Sequence, residues 1–343
     1  VKALVLTRSS HFEMQDVPEP RLEPGEVAVG VKACGICGSD VHGMDGSSGR
    51  RIPPIVMGHE ASGVIARVGE AVRGWRVGDR VTFDSMISCG DCLFCRRGQI
   101  NLCDNRRVLG VSCPEFRREG AFAEYVAVPQ SILYRMPDEL SFEHAATVEP
   151  LSVAVHAVER LPLRLNDTAV VIGAGMIGLL VVQVLRAAGC GRIVAVDLDP
   201  TRLDLARRLG ADQTLSPKQA DVASEVLGCT GGRGADVAVE AVGLPATVRL
   251  AVASVRKGGS VALVGNVTAE VALGLQSVVT REITLYGSCA SSGEYPACLE
   301  MIARGAIRLE PLITAVCSLE EAPGWFERLY RGESGLMKII VRP

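Results

Sequence analysis

Four cysteines fall in one short stretch, SCGDCLFCRRGQINLC, with the spacing Cys89-x2-Cys92-x2-Cys95-x7-Cys103. Thiolates are soft donors, and four of them on a loop turned by Gly90 and Gly98 suit a closed tetrahedral zinc site. Such a site keeps no position for water or substrate, so the zinc expected there is structural. An iron–sulfur cluster would use the same number of thiols, and free surface thiols are the remaining reading.

Metal-assisted chemistry needs an open position, and three other segments can supply one. They are CGICGSDVHG (34–43), GHEASG (58–63) and EPLSVAVHA (149–157). Singly, each reads as a core cysteine or a satisfied histidine. Together they bring a thiolate, an imidazole and two carboxylates, a mixed set that can hold zinc and leave one site exchangeable.

Gly173-Ala174-Gly175-Met176-Ile177-Gly178 is a GxGxxG run that follows the apolar AVVI and opens the helix-like MIGLLVVQVL. In that context the glycines permit a tight turn, close approach of a pyrophosphate to backbone N–H groups, and helix–sheet packing. Asp197 ends the next apolar run, 197 − 178 = 19 residues after the last glycine. A carboxylate there accepts the ribose hydroxyls and repels a 2′-phosphate, which predicts NAD over NADP. Arg202 works in the opposite direction, because an arginine nearby can host that phosphate. A structural turn with no ligand is the alternative.

Elements must position these groups. The first 150 residues carry short, turn-bounded alternating runs such as EVAVGVK, GVIARV and DRVTF, which predict a mostly antiparallel β domain. From about Asn166 the rhythm becomes strand, helix, strand, helix. AVVIG precedes MIGLLVVQVLRAAG, RIVAVD precedes DPTRLDLARRLG, and DVAVEAVG precedes ATVRLAVASVRKGG and then SVALVG. Near-continuous apolar strands and glycine-stopped helices predict a doubly wound parallel sheet. The last fifty residues hold a helix-like YPACLEMIARG and a strand-like KIIVRP. At about 150 residues per domain, 343 residues predict two domains.

Composition narrows the partners. The net charge is −3 with no basic block, which argues against nucleic acid. The uncharged run from Thr168 to Leu185 is long enough for a membrane span, but its glycine-rich centre reads as strand, turn and helix. VKALVLTRSS lacks the apolar core of a signal peptide. Twelve cysteines in a chain of this size fit bound zinc in a reducing cytoplasm better than a disulfide framework.

The chain resembles the zinc-dependent medium-chain alcohol dehydrogenases, and within them the sorbitol (L-iditol) dehydrogenase branch. The resemblance runs nearly end to end on GHEASG with Gly69, the four-cysteine loop, EPLSV and GAGMIG with Asp197, in that order. EPLSV is the branch-specific piece, and threonine and galactitol-1-phosphate dehydrogenases carry similar motifs. The resemblance implies a GroES-like catalytic domain over 1–153 and 291–343, and a Rossmann NAD-binding domain over 154–290, with the site in the cleft between them. It implies Cys37 and His59 as zinc ligands and Glu60 as a direct or displaceable one. Glu149 would bind zinc or hold its water. Ser39 would take the substrate proton, Asp40 would orient His59, and His42 would pass the proton to solvent. Cys34 matches no ligand and reads as core. Cofactor contacts would come from Ile177, Asp197, Arg202, Val264, Gly265, Asn266, Ser288, Cys289 and Ala290. Sorbitol dehydrogenases typically carry Phe and Arg at the last two positions, where the Arg helps hold the polyol, so Cys289 and Ala290 depart from the branch. The implied enzyme oxidises a secondary alcohol, a polyol in first place, with one catalytic and one structural zinc, and is a cytoplasmic homodimer or homotetramer. A phosphorylated polyol or 3-hydroxy amino acid dehydrogenase is the enzymatic alternative, and an NAD-binding redox sensor the non-enzymatic one.

Overall fold

A computed structural model describes residues 1–343. The chain forms two compact units, one of Val1–Glu149, Tyr295–Ala303 and Leu309–Pro343, the other of Pro150–Glu294 and Arg304–Arg308. The divisions therefore fall a few residues from the expected 153/154 and 290/291. Arg304–Arg308 joins the second unit because Arg308 is tied to a helix there: its backbone N–H donates to Gln183 Oε1 at 2.8 Å, and Gln183 Nε2 donates to its carbonyl at 3.2 Å.

The first unit is built on a seven-stranded sheet with the order Leu133–Arg135, Arg80–Phe83, Glu60–Val68, Glu26–Gly35, Lys338–Arg342, Ile313–Ser318, and Tyr125–Pro129 also pairing with Glu26–Gly35. All pairings are antiparallel except that of Ile313–Ser318 with Lys338–Arg342. Its core is made of Val, Ile, Leu and Ala, with Phe83, Phe122 and Phe326 among the few buried rings. Cys34 lies fully buried in it.

The second unit has a six-stranded sheet, all parallel, in the order Gln213–Leu215, Arg192–Val196, Thr168–Ile172, Ala235–Glu240, Val255–Leu263, Thr284–Gly287. In chain order this is 3-2-1-4-5-6, the dinucleotide-binding order, with its reversal beside Thr168–Ile172. The helix Pro200–Arg208 starts where the Asp199 side chain accepts the Thr201 N–H at 2.8 Å and Pro200 presets the first turn. The uncharged run from Thr168 divides into the strand Thr168–Ile172 and the helix Met176–Ala187, and no helix of the chain is long and apolar enough to cross a membrane. One boundary departs from the sequence reading. The helix-like ATVRLAVASVRKGG stops at Ser254, and Val255 already pairs with Ala235 as the start of a strand. The register shift that follows lets Arg256–Gly259 bulge before the SVAL core of the strand; a β-branched residue and two glycines are poor helix formers there.

Candidate functional site

In the first unit, Gly35 pairs antiparallel with Glu60. That register places Cys37, two residues beyond one strand end, next to His59, one residue before the other. A Cβ at Gly35 would collide with Glu60 Oε2, so glycine is what lets the acid lie against this strand. The ligand atoms of Cys37, His59 and Glu60 all lie within 4.8 Å of one another. His59 Nδ1 is 3.3 Å from Asp40 Oδ2, and neither of these buried atoms makes an aligned hydrogen bond. With Nδ1 turned to a carboxylate, Nε2 is the nitrogen left for a metal, the arrangement typical of zinc-binding imidazoles. A thiolate and a backed imidazole are donors that fit zinc.

Burial pushes His59 towards its neutral form, but Asp40 and Cys37 outweigh it and raise its pKa well above the ordinary value. Burial likewise works against the Asp40 carboxylate, and His59 and Arg51 overcome it, holding the carboxyl well below the usual range.

Glu60 stands in this group but is already engaged. Lys338 Nζ, buried, donates to both its oxygens at 2.8 and 2.6 Å and to the Ile36 carbonyl at 3.0 Å. Sequence reading missed Lys338; its signal is a lone charge opening the apolar KIIV. Glu149 is outside the 4.8 Å group. It lies in the first turn of the helix Val148–Glu159, and its Oε1 accepts from Ser85 Oγ at 3.1 Å. Desolvation raises its carboxyl pKa; His59 opposes the rise and Glu60 adds to it. Ser39 and His42 are three apart on the helix Gly38–Gly43, hence on one face, and both are exposed. Ser39 Oγ donates to Cys37 Sγ at 3.3 Å.

The sulfurs of Cys89, Cys92, Cys95 and Cys103 form a second group within 4.8 Å. Cys103 and Cys89 are 3.5 Å apart and Cys89 and Cys95 4.0 Å apart. A tetrahedron of zinc–sulfur bonds of about 2.3 Å has edges of about 3.8 Å, so the loop is shaped for the ion. Backbone N–H groups of Cys89 and Asn105 point at Cys103 Sγ, at 3.2 and 3.4 Å. The N–H groups of Cys95 and Asp104 lower the Cys92 thiol to about 6, whereas burial pushes Cys103 up to about 12. No disulfide joins any of the twelve cysteines. A zinc held by this loop would supply folding energy, so Cys92→Ser is expected to release one zinc per chain and lower Tm by about 5–10 °C. Metal analysis beside thermal denaturation checks this, and unchanged content with unchanged Tm refutes it.

In the second unit the three glycines of GAGMIG do different work. Gly173 has φ +94 and opens the turn. A Cβ at Gly178 would collide with the Gly173 carbonyl, so the helix packs tightly on the strand. A Cβ at Gly175 would meet no protein atom within 4 Å, leaving bare backbone open to a ligand such as a pyrophosphate. Met176 and Ile177 follow, half-buried. Asp197 lies over this turn, accepting from Ala174 N at 2.7 Å and Asp199 N at 2.9 Å. The Arg202 guanidinium is 3.9 Å from Asp199. Val264-Gly265-Asn266 leave the strand Val255–Leu263 and abut the turn at Gly243, where a Cβ on Gly265 would strike backbone. That turn is held by Glu240, unanticipated and fully buried, which accepts from Val242 N at 2.9 Å and Gly243 N at 2.8 Å. Ser288 carries a buried hydroxyl oxygen with no protein partner, an orphan suited to a polar ligand. Cys289 is exposed, and Ala290 is held at φ +53. The donor set and bare glycine backbone of this unit fit a dinucleotide.

Known proteins match the chain along its whole length. A family model described as an alcohol dehydrogenase GroES-like domain matches residues 23–138, and one described as a zinc-binding dehydrogenase matches residues 177–304. Sorbitol dehydrogenase of Bacillus subtilis is 35% identical over 347 residues, covering 100% of this chain and 97% of that protein. Among solved structures, 2R,3R-butanediol dehydrogenase from Bacillus subtilis aligns with a TM-score of 0.89 at 34% identity, covering 100% of this chain and 99% of that one. A zinc-binding dehydrogenase from Sinorhizobium meliloti 1021 bound to NADP aligns with a TM-score of 0.92 at 33% identity, with 100% and 99% covered.

Proposed function

This chain belongs to the zinc-dependent medium-chain alcohol dehydrogenases, in their polyol dehydrogenase branch, and from that premise we propose that it oxidises a secondary alcohol bearing a neighbouring hydroxyl, with NAD as the hydride acceptor. It is a zinc-dependent alcohol or polyol oxidoreductase. The observation that carries the residue assignment is the convergence of Cys37, His59 and Asp40 with Ser39 at one strand end.

In this reading Cys37 and His59 hold the catalytic zinc. Asp40 orients the imidazole. Glu60, neutralised by Lys338, is a displaceable ligand, and Glu149 holds water or substrate beside the metal. When bound, zinc supplies Lewis-acid stabilisation of an alkoxide and the nicotinamide accepts the hydride. Ser39 Oγ takes the proton of the substrate hydroxyl, and His42, exposed on the same helical face, hands a proton to solvent. The cysteine loop holds a second, structural zinc. Ile177, Val264, Gly265, Asn266, Ser288, Cys289 and Ala290 line the cofactor.

Homo-oligomerisation belongs to the same proposal. Thr284–Gly287 is an edge strand, and in the segment of chain that leads to it Val267, Leu275 and Val279 are 57%, 68% and 63% exposed. An open edge preceded by exposed apolar side chains suits strand addition by a second copy. A cytoplasmic setting suits thiolates kept for zinc.

The test is reduction of NAD across polyols and secondary alcohols, with metal measured on the same sample. Activity with two zinc ions per chain is expected; iron, or a single metal, removes the two-zinc reading. NAD preference is assigned to Asp197. Asp197→Ser is expected to lower kcat/KM for NAD by about 10–100-fold, the worth of charged hydrogen bonds to the ribose, and to raise the NADP/NAD ratio. The ratio is the deciding readout, since Asp197 also braces the glycine turn and loss of that brace weakens both cofactors alike. An unchanged ratio refutes the assignment.

A further inference from the structure

We propose that Arg51 is a positioning residue of the alcohol site, dividing the charge of Asp40 with His59 and fixing the hydroxyl of Ser39. The proposal rests on the roles given above to Ser39 and Asp40.

Arg51 lies on the loop between the helix Gly38–Gly43 and the strand Ile55–Val56, and only 3% of it is exposed. A guanidinium is buried this deeply only when its charge and donors are matched. Here Nε and Nη2 both donate to Asp40 Oδ1, at 3.1 and 2.7 Å, and Nη2 also reaches Ser39 Oγ at 3.4 Å. Asp40 Oδ2 faces His59. One carboxylate oxygen therefore serves arginine and the other serves the imidazole.

The neighbouring helix is cut to admit this side chain. A Cβ at Gly43 would lie 2.7 Å from Arg51 Cγ, in the middle of the stem rather than at a movable tip. Gly43 has no positive φ, so its backbone alone does not require glycine.

Sharing with Arg51 leaves Asp40 less able to pull on the Nδ1 proton, so His59 donates less charge to a bound metal. The Arg51 N–H also occupies one lone pair of Ser39 Oγ, leaving the other for the substrate proton. The O–H bond of the alcohol breaks, an O–H bond forms at Ser39, and the proton Ser39 carried before turns from Cys37 Sγ and departs towards solvent, so Ser39 ends as it began.

The experiment uses zinc-loaded enzyme with single and double variants at positions 51 and 39, together with cobalt-substituted protein. Arg51→Met is expected to lower kcat about 10–100-fold with KM for NAD unchanged. Arg51→Lys should restore part of the loss, since one ammonium can sit beside Asp40 but cannot serve both partners. Gly43→Ala should reproduce the Arg51→Met effect although alanine favours a helix. Ser39→Ala should cost less in the Arg51→Met background than in the wild type, and the visible spectrum of the cobalt protein should shift in Arg51→Met. Fully additive losses with an unchanged cobalt spectrum would overturn the proposal; Arg51→Lys, which keeps the buried charge, decides the same question should Arg51→Met not fold. If Ser39→Ala alone leaves kcat unchanged, the proton-relay role fails by itself, and the cobalt spectrum still decides the Asp40 arm.

Discussion

His59→Ala is expected to lower kcat/KM by at least about 10³-fold and to remove one of two zinc ions, with secondary structure retained. A Lewis acid contributes several kcal/mol to stabilising the developing alkoxide, and each 1.4 kcal/mol is tenfold in rate. Nothing else in the group replaces the ring, since Cys37 is then the one donor left free of an ion pair and Glu60 is held by Lys338 through both oxygens. The fold should survive because the packing of this sheet comes from Val27, Val29, Ile65, Val81 and Phe83, which do not depend on the metal. A chelator should give the same outcome by another route. An open site exchanges its ion faster than a loop of four thiolates, so brief treatment should abolish turnover before circular dichroism changes, and added zinc should restore it. Activity within tenfold of wild type in His59→Ala, or loss of structure in step with activity under chelation, would refute the assignment of the catalytic metal to this cluster.

What could be read from the residues was whatever is written locally. The cysteine loop needs only fifteen consecutive residues, 89–103, to define its ligands. The glycine turn with its strand and helix is likewise contiguous, and the parallel sheet that the alternation implied is the one found. Lys338 and Glu60 are 278 positions apart, so their ion pair depends on a register between the final strand and Gly35 that no local pattern encodes. Arg51 is one of many arginines in the first unit, and only its burial sets it apart. Glu240 looks like the polar end of an apolar strand until its carboxylate is seen to gather two backbone N–H groups. The missed residues share one property: each is a charge buried against a distant partner or the backbone, and composition reads such charges as surface.

Discrimination between polyols and simple alcohols is expected to be large, with kcat/KM for a vicinal diol exceeding that for ethanol by at least about 10²-fold. In the proposed site Glu149, whose Oε1 accepts from Ser85 Oγ, stands beside the metal, and a second substrate hydroxyl adds a hydrogen bond there that ethanol cannot make. In the proposed reading Cys289 and Ala290 stand where the resemblance to sorbitol dehydrogenases implies an aromatic ring and an arginine. A long polyol would lack that anchor, which favours a shorter diol or pentitol over sorbitol. Ala290→Arg is the direct check. Ala290 already sits at φ +53, and an alanine bears nearly the same backbone cost in that region as an arginine would, so the exchange adds a charged donor without new strain. One charged hydrogen bond to a distal hydroxyl is worth about tenfold, and it should appear in KM for a hexitol and be absent for a butanediol. Equal effects on both substrates would mean that position 290 does not meet the polyol. Efficient turnover of ethanol with no response to any polyol would leave the family in place and remove the diol as its substrate, because a pocket that tolerates ethanol cannot contain polar groups that need a second hydroxyl.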